Sequence, residues 1–173
     1  MRTYASNWIS SLSTLQKNAI HDYTKEMPSY YKNINGVLRG KQESFDEGNK
    51  ERSELIHDAL SNAHTPCDIT VYRGCSSDTL GSLSSVSDEE LVNNVFVDKG
   101  FASTSMSRGG AFSGDLLLEI HLPAGSNAAN IETLSAAGKY EEEVLIDRGQ
   151  LFQIIGAHRD DFGRRVIEVN AIN

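Results

Sequence analysis

The chain has 173 residues, 39% hydrophobic and 23% charged, as expected of one soluble globular domain with a sizeable core. Its 16 Lys and Arg against 24 Asp and Glu give a formal net charge of −8. This charge argues against a nucleic-acid binder, whose footprint is normally basic, and disfavours adsorption to anionic membranes. No apolar run approaches the roughly 20 residues needed to cross a bilayer.

The N-terminus lacks the apolar segment of a signal peptide, because serines interrupt Trp8, Ile9 and Leu12. We therefore expect a chain that is cytosolic, exported without a cleaved signal, or cut from a larger protein. Cys67 and Cys75 have neither C-x-x-C nor metal-ligand spacing, and the five histidines show no H-E-x-x-H pattern. The sequence therefore predicts no metal site.

The first quarter of the chain is predicted to be helical. A capping-box pattern at 13–16 begins a first helix that Pro28 ends. Apolar residues at helical spacing predict a second helix from Tyr30 to near Gly40 and a third around 55–63. The apolar face of the first helix is predicted to contain Leu15, Ala19, Ile20 and Tyr23.

From Asp68 onward the pattern becomes that of strands, apart from a short helix predicted from a second capping box at 87–90 through about Asn94. Strands are predicted at 69–73, 101–105 and 116–122, with a final hairpin formed by 151–157 and 165–169. Helices first and strands later indicate an α+β fold with a mostly antiparallel sheet system. We expect a single domain, 1–173, with a mainly helical part at 1–65 and a mainly β part at 66–173.

An acidic stretch inside 139–149 is the most unusual feature of the sequence. Glu141, Glu142 and Glu143 run directly into Val-Leu-Ile, which favours a short strand that passes from solvent into a core. On such a strand Glu141 and Glu143 would share one face, about 7 Å apart. Paired carboxylates suit chemistry at an oxocarbenium-like centre, and their repulsion raises one pKa. The alternative is a solvated acidic strand end at a turn.

Two other strands offer groups that complement these carboxylates. Arg73 ends a strand next to Gly74, where a guanidinium can bind a phosphate in bidentate fashion. In the strand 103–105 both serines face one side, where a hydroxyl can donate to Glu143 and fix its rotamer. Taken alone, an arginine at a strand end is usually an exposed surface charge. A Ser-Thr-Ser strand is usually an edge strand of a sheet. Together and in this order the three pieces are far more specific.

In these motifs the chain resembles the arginine–serine–glutamate class of bacterial mono-ADP-ribosyltransferase toxins, in the clostridial binary-toxin and C3-exoenzyme-like branches. The resemblance covers nearly the whole chain from the helical segment 31–35 onward. The motifs that carry it are Ile69-Thr70-Val71-Tyr72-Arg73, Phe101-Ala102-Ser103-Thr104-Ser105, Phe112-Ser113-Gly114 and Glu141-Glu142-Glu143-Val144-Leu145. It implies the ADP-ribosyltransferase fold, with two packed, mostly antiparallel sheets, an N-terminal helical flank, and NAD in the cleft between the sheets.

The resemblance also implies a role for each matching residue. Glu143 matches the catalytic glutamate, Glu141 the acceptor-side position, and Ser103 the serine that orients the glutamate. Residues expected at the NAD site are Arg73, Gly74, Ser103, Thr104, Ser105, Phe112, Tyr31 and Asn35. Arg73 would bind an NAD phosphate and Phe112 would pack on nicotinamide, although Phe112 also suits an ordinary core position.

The implied function is transfer of ADP-ribose from the co-substrate NAD to a protein side chain, with release of nicotinamide and without a metal. The resemblance associates a glutamate at position 141 with transfer to arginine. NAD glycohydrolase activity is expected as a side reaction. The implied biology is a monomeric bacterial toxin or effector, secreted or injected into a target cell, that modifies a protein such as actin or a small GTPase. Neither nucleic-acid binding nor membrane insertion is expected.

Two other functions remain open at this point. An NAD glycohydrolase toxin would use water as the acceptor, and a non-catalytic module would retain the fold only to bind a partner. The sequence also departs from the family pattern at Gly74 and Asp115, where some members carry arginines, and at Gly138, where the acceptor loop often carries an aromatic residue. These departures bear on NAD affinity and on acceptor choice.

Overall fold

The computed structural model describes residues 2–111, 113–137 and 142–172. The helices of the described residues are α1 (Arg2–Ser11), α2 (Thr14–Tyr23), α3 (Tyr30–Leu38), α4 (Asn49–Ser61) and α5 (Asp88–Leu91). Their strands are β1 (Ile69–Cys75), β2 (Val95–Asp98), β3 (Ala102–Ser105), β4 (Leu116–Leu122), β5 (Ala128–Asn130), β6 (Glu143–Ile146), β7 (Gln150–Arg159) and β8 (Arg165–Ile172). Two 3₁₀ segments lie at Ser77–Ser85 and Arg108–Gly110. The predicted α+β class is confirmed.

The strands of the described residues form one hydrogen-bonded ladder in the order β2-β7-β8-β4-β1-β3-β6-β5. The pair β4–β8 is parallel, and the other neighbouring pairs are antiparallel. Between β1 and β3 the register consists of the pair Tyr72 and Ser105, which divides the ladder into a five-stranded and a three-stranded part. The two sheets predicted from the resemblance are therefore two parts of one ladder.

Two apolar cores hold the three-stranded part in place. On one face Val144 and Ile146 of β6 share a core with Val71, Ile120 and Ile167 of the five-stranded part. The opposite face of β6 carries Leu145, which belongs to the core beneath the helices. Because alternate residues of β6 are buried on both faces, the strand is sandwiched between the larger sheet part and the helical layer.

The first predicted helix has the capping box that its sequence indicates. The Ser13 hydroxyl accepts a hydrogen bond from the backbone N–H of Gln16 at 3.2 Å, and the Gln16 side chain accepts one from the Ser13 N–H at 3.0 Å. The helix ends at Tyr23, before Pro28 is reached. Leu15 was wrongly assigned to the apolar face: it is 61% exposed, and the buried stripe begins at Ala19.

Several element bounds also differ from the prediction. The helix α5 is a single turn that ends at Leu91 because Val92 already has an extended backbone, with φ −59° and ψ 138°. The sequence reading did not identify α1 as a separate helix, and it missed β2 and β5. Trp8 of α1 is buried, and its indole N–H donates to the carbonyl of Ala59 at 3.0 Å, so α1 is anchored on α4. None of the helices in the described part of the chain is both long and apolar enough to span a membrane.

Candidate active site

A cleft of about 320 Å³ opens between the helices α2 and α3 and the strands β1, β3 and β6. Among the predicted site residues it is lined by Tyr31, Asn35, Arg73, Gly74, Ser103 and Glu143. It is also lined by Tyr23, Thr24, Glu26, Arg39, Phe101 and Ala137. The structure thus brings residues from distant segments of the sequence to one cavity.

Strand pairing explains how the serines and the glutamate come to share a face. In the antiparallel pair β3–β6, Ser103 lies opposite Leu145 and Ser105 lies opposite Glu143. Since Leu145 belongs to the core beneath the helices, alternation turns both serines and Glu143 toward the helical side. Glu143 is 6% exposed, so its carboxylate lies in a largely water-excluded position at the cleft.

The acidic stretch does not enter the core in the way the sequence predicted. The strand β6 begins only at Glu143, and Glu142 is exposed with φ +44°, in the left-handed region. Regular strand alternation therefore ends at Glu143, and the prediction that the strand also includes Glu142 was wrong. Glu141, Tyr140 and Gly138 lie outside the described residues, so the position assigned to Glu141 stays a prediction. Phe112 lies outside them as well.

Arg73 is the predicted phosphate ligand, and its side chain is only 12% exposed. Its guanidinium forms an ion pair with Asp98 through Nη1 and Oδ2. Arg39 binds the same carboxylate, from Nε to Oδ1 at 2.8 Å and from Nη2 to Oδ2 at 3.1 Å. Two guanidinium groups and one carboxylate leave this cluster with one net positive charge at the cleft, which suits the diphosphate of a dinucleotide.

Asp98 is a central residue of the site that the sequence reading missed. It is 4% exposed and also accepts a hydrogen bond from the N–H of Gly100 at 3.0 Å. Burial alone would raise the pKa of Asp98, but Arg73 and Arg39 outweigh it and hold that pKa below its ordinary value. One signal was available: on the short strand β2, Asp98 shares the buried face with Phe96, and a buried carboxylate requires a cationic partner.

Asn35 joins the helical layer to the sheet. Its Nδ2 donates to the hydroxyl of Tyr23 at 2.8 Å, and its Oδ1 accepts from the backbone N–H of Phe101 at 2.9 Å. Burial raises the pKa of Tyr23 to about 12, so this tyrosine is neutral at pH 7. Tyr31 packs edge-on against Tyr23 with ring centroids 6.2 Å apart, so the helical wall of the cleft is aromatic.

Thr104 and Ser105 hold the backbone around the site. The Thr104 hydroxyl donates to the carbonyl of Val144 at 2.7 Å, which ties β3 to β6. The Ser105 hydroxyl accepts from the N–H of Ser107 at 3.2 Å. Gly110 packs directly on Ser105, and a Cβ at this glycine would collide with the Ser105 hydroxyl. The NAD contacts expected of Thr104 and Ser105 stay predictions.

Asp115, a predicted departure from the family pattern, is used in a local contact. Its carboxylate accepts hydrogen bonds from the N–H of Ser77 at 3.1 Å and from the Ser77 hydroxyl at 2.6 Å. These bonds lower the pKa of Asp115. In the described ranges, no three His, Cys, Asp or Glu side chains come together as metal ligands.

Comparison with known proteins gives one consistent result. A family model described as ADP-ribosyltransferase exoenzyme matches residues 2–172. The epidermal cell differentiation inhibitor of Staphylococcus aureus is 25% identical over 183 residues, covering 90% of this chain and 72% of the relative.

Two solved structures share the fold. Plx2a, an ADP-ribosyltransferase toxin from Paenibacillus larvae, has a TM-score of 0.85 at 22% identity, covering 99% of this chain and 92% of that protein. C3stau2 from S. aureus, solved with NAD, has a TM-score of 0.80 at 22% identity, covering 99% of this chain and 94% of its own. Because the family model spans almost the whole sequence, this chain belongs to the ADP-ribosyltransferase exoenzyme family and is an ADP-ribosyltransferase.

Proposed function

We propose that this chain is a mono-ADP-ribosyltransferase toxin or effector that transfers ADP-ribose from NAD to an arginine of a target protein and releases nicotinamide. The observation that carries the proposal is that Arg73, Ser103 and Glu143, from three different strands, line one cleft. Residues 1–173 act as one monomeric catalytic domain, which is secreted or injected into the cell that contains the target.

Glu143 stabilises the reaction centre in this mechanism. Cleavage of the nicotinamide–ribose bond produces an oxocarbenium-like ribosyl centre, as in glycoside chemistry. Glu143 hydrogen-bonds the ribose 2′-hydroxyl and places its negative charge beside the developing cation. Its burial strengthens this interaction, since charges interact more strongly where water is excluded. Ser103, on the same face, orients the carboxylate.

Arg73 and the aromatic residues hold the two halves of NAD. A guanidinium has five N–H donors, so an arginine that pairs with Asp98 through Nη1 has further donors for a phosphate. The ion pair fixes the direction of the Arg73 side chain before NAD arrives, which lowers the entropy cost of binding. Tyr31 borders the cleft, and Phe112 is the residue that we assign to the nicotinamide ring.

Glu141 acts on the acceptor side. It orients the incoming guanidinium and helps to remove its proton, which is a general-base role. The target is a protein of the class of actin or the small GTPases. When no target is bound, water takes the place of the acceptor and NAD is hydrolysed. This side reaction is NAD glycohydrolase activity.

The proposal is tested by incubating the protein with NAD labelled in its adenylate part and an extract of candidate target cells. We expect a labelled protein band, released nicotinamide, and a modified arginine when the band is mapped by mass spectrometry. Nicotinamide release without any labelled protein would instead establish a glycohydrolase. Absence of both would overturn the enzymatic proposal, and a modified residue other than arginine would overturn the acceptor assignment.

Glu141→Gln is expected to separate the two reactions. Glutamine keeps the size of the side chain but removes the base, so transfer to arginine should fall by about 100-fold while NAD hydrolysis stays within about twofold. Both rates are measured on the same preparation, as nicotinamide release without acceptor and as label incorporated into the extract. Equal loss of the two activities would contradict the division of roles between Glu141 and Glu143.

A further inference from the structure

The connection from β5 to β6 leads directly into the catalytic strand. Its two ends are joined because the N–H of Ile131 donates to the carbonyl of Glu143 at 3.0 Å. We call its described first part, Ile131–Ala137, the acceptor-side segment, since the chain continues from it to Glu141. Ala137 lines the same cleft as Glu143, so this segment reaches the mouth of the active site.

The acceptor-side segment is held by two side chains, His21 of α2 and Thr24, the C-cap residue of that helix. The Thr24 hydroxyl accepts a hydrogen bond from the N–H of Ala136 at 2.8 Å and donates to the carbonyl of His21 at 2.9 Å. His21 Nδ1 lies 2.9 Å from the carbonyl of Leu134. A carbonyl can only accept, so Nδ1 carries the proton in this contact. The segment is therefore fastened to the helical wall at two backbone positions.

The residues that hold the acceptor-side segment are close in sequence to a residue of the NAD cleft. Tyr23 lies between His21 and Thr24 in the sequence, and its ring enters the cleft beside Asn35. Thr24 itself is half-buried at the cleft wall. The end of α2 and its C-cap therefore contribute Tyr23 and Thr24 to the cleft wall, while Thr24 and His21 hold the acceptor-side segment.

We propose that Thr24 and His21 are positioning residues for the acceptor half of the reaction, a role that rests on the proposed function. Five Cα steps separate Ala137 from Glu142, so this part of the chain spans at most about 19 Å. Ala136 and Glu143, the fixed residues on either side of Glu141 in the sequence, are therefore joined by a short connection. Without the Thr24 bond, the His21 contact at Leu134 remains, and the fastened part of the segment ends two residues farther from Glu143.

The two half-reactions should respond differently to loss of this fastening. Arginine transfer requires the acceptor, Glu141 and the ribosyl centre in a near-attack geometry, and a shift of about 1 Å can reduce a rate by as much as 100-fold. NAD hydrolysis needs Glu143, which the β3–β6 pairing and the apolar core hold independently of Thr24. The ratio of transfer to hydrolysis therefore reports on positioning.

The deciding variant is Thr24→Val, which keeps the shape of the side chain and removes the hydroxyl, with Thr24→Ser as the matched control. We expect Thr24→Val to lower the ratio of arginine transfer to NAD hydrolysis about tenfold or more, and Thr24→Ser to restore that ratio. In hydrogen exchange without NAD, the amide of Ala136 should exchange faster in Thr24→Val than in wild type. His21→Phe should shift the same ratio in the same direction.

The opposing results are distinct. A raised KM for NAD in both reactions would make Thr24 an NAD contact and overturn the positioning role. Unchanged transfer in Thr24→Val, or unchanged exchange at Ala136, would also overturn it. Failure of the wild type to label any protein would count against the proposed function, and the exchange of Ala136 would still test whether Thr24 holds the segment.

Discussion

Glu143→Gln should reduce both nicotinamide release and ADP-ribose transfer by about 1,000-fold, with little change in folding. Removing one preorganised electrostatic group from a transition state typically costs a factor of 100 to 1,000. The full effect is expected here because the carboxylate is 6% exposed, and water cannot replace its charge. Glutamine has nearly the same size, so the packing of β6 against β3 should be retained.

Glu142→Gln is the matched control for this variant. Glu142 precedes Glu143 directly and carries the same charge, but it is exposed and lies outside β6. Its replacement should leave both rates within about twofold. Initial rates at saturating NAD, together with circular dichroism of each variant, make the comparison. A Glu143→Gln enzyme with wild-type turnover would show that the catalytic residue has been assigned wrongly.

The sequence was sufficient where function depends on local pattern. Ser103 and Ser105 are two residues apart on a strand, so their common face follows from alternation alone. The predicted strand end at Arg73 was wrong, because β1 continues through Gly74 to Cys75. The expected roles of Arg73 and Glu143 came from the resemblance. The structure places Arg73, Ser103 and Glu143 at one cleft because β1, β3 and β6 are neighbours in the ladder.

The sequence was insufficient where a residue depends on distant partners. Asp98 is 59 residues from Arg39 and 25 from Arg73, so no local pattern connects the three. The bend at Glu142 is another case. A glutamate with positive φ is uncommon, and an acidic run that leads into Val-Leu-Ile gives no sign of one. The predicted strand therefore starts before the real strand, which begins at Glu143.

Asp98→Asn should destabilise the fold strongly, by about 3–5 kcal/mol, because it removes a buried carboxylate that compensates two guanidinium groups. Arg73 is the more affected partner, since its side chain is 12% exposed and its charge cannot regain full hydration. Asparagine can still accept a hydrogen bond, so the loss is electrostatic rather than steric. NAD affinity should fall as well, because Arg73 loses the contact that fixes its direction.

Asp78→Asn is the control for charge removal alone. Asp78 belongs to a surface ion pair with Lys41 at 3.9 Å, and its side chain is 76% exposed. Such a pair contributes little, so the free energy of unfolding should change by less than about 0.5 kcal/mol. Urea unfolding at pH 7 compares the two variants with wild type. Equal effects of the two substitutions would show that the Asp98 cluster does not stabilise the fold.

The pH dependence of stability provides a second test of the same cluster. The pKa of Asp98 is lowered in the folded protein, whereas an unfolded chain has a value of about 3.9. Its contribution to stability is therefore fully present above the unfolded pKa and is lost as the pH falls through the folded pKa. The difference in unfolding free energy between wild type and Asp98→Asn should stay constant from pH 7 to about pH 5 and shrink below about pH 4. A difference that persists unchanged at pH 2 would mean that Asp98 stabilises the fold through packing, not through its charge.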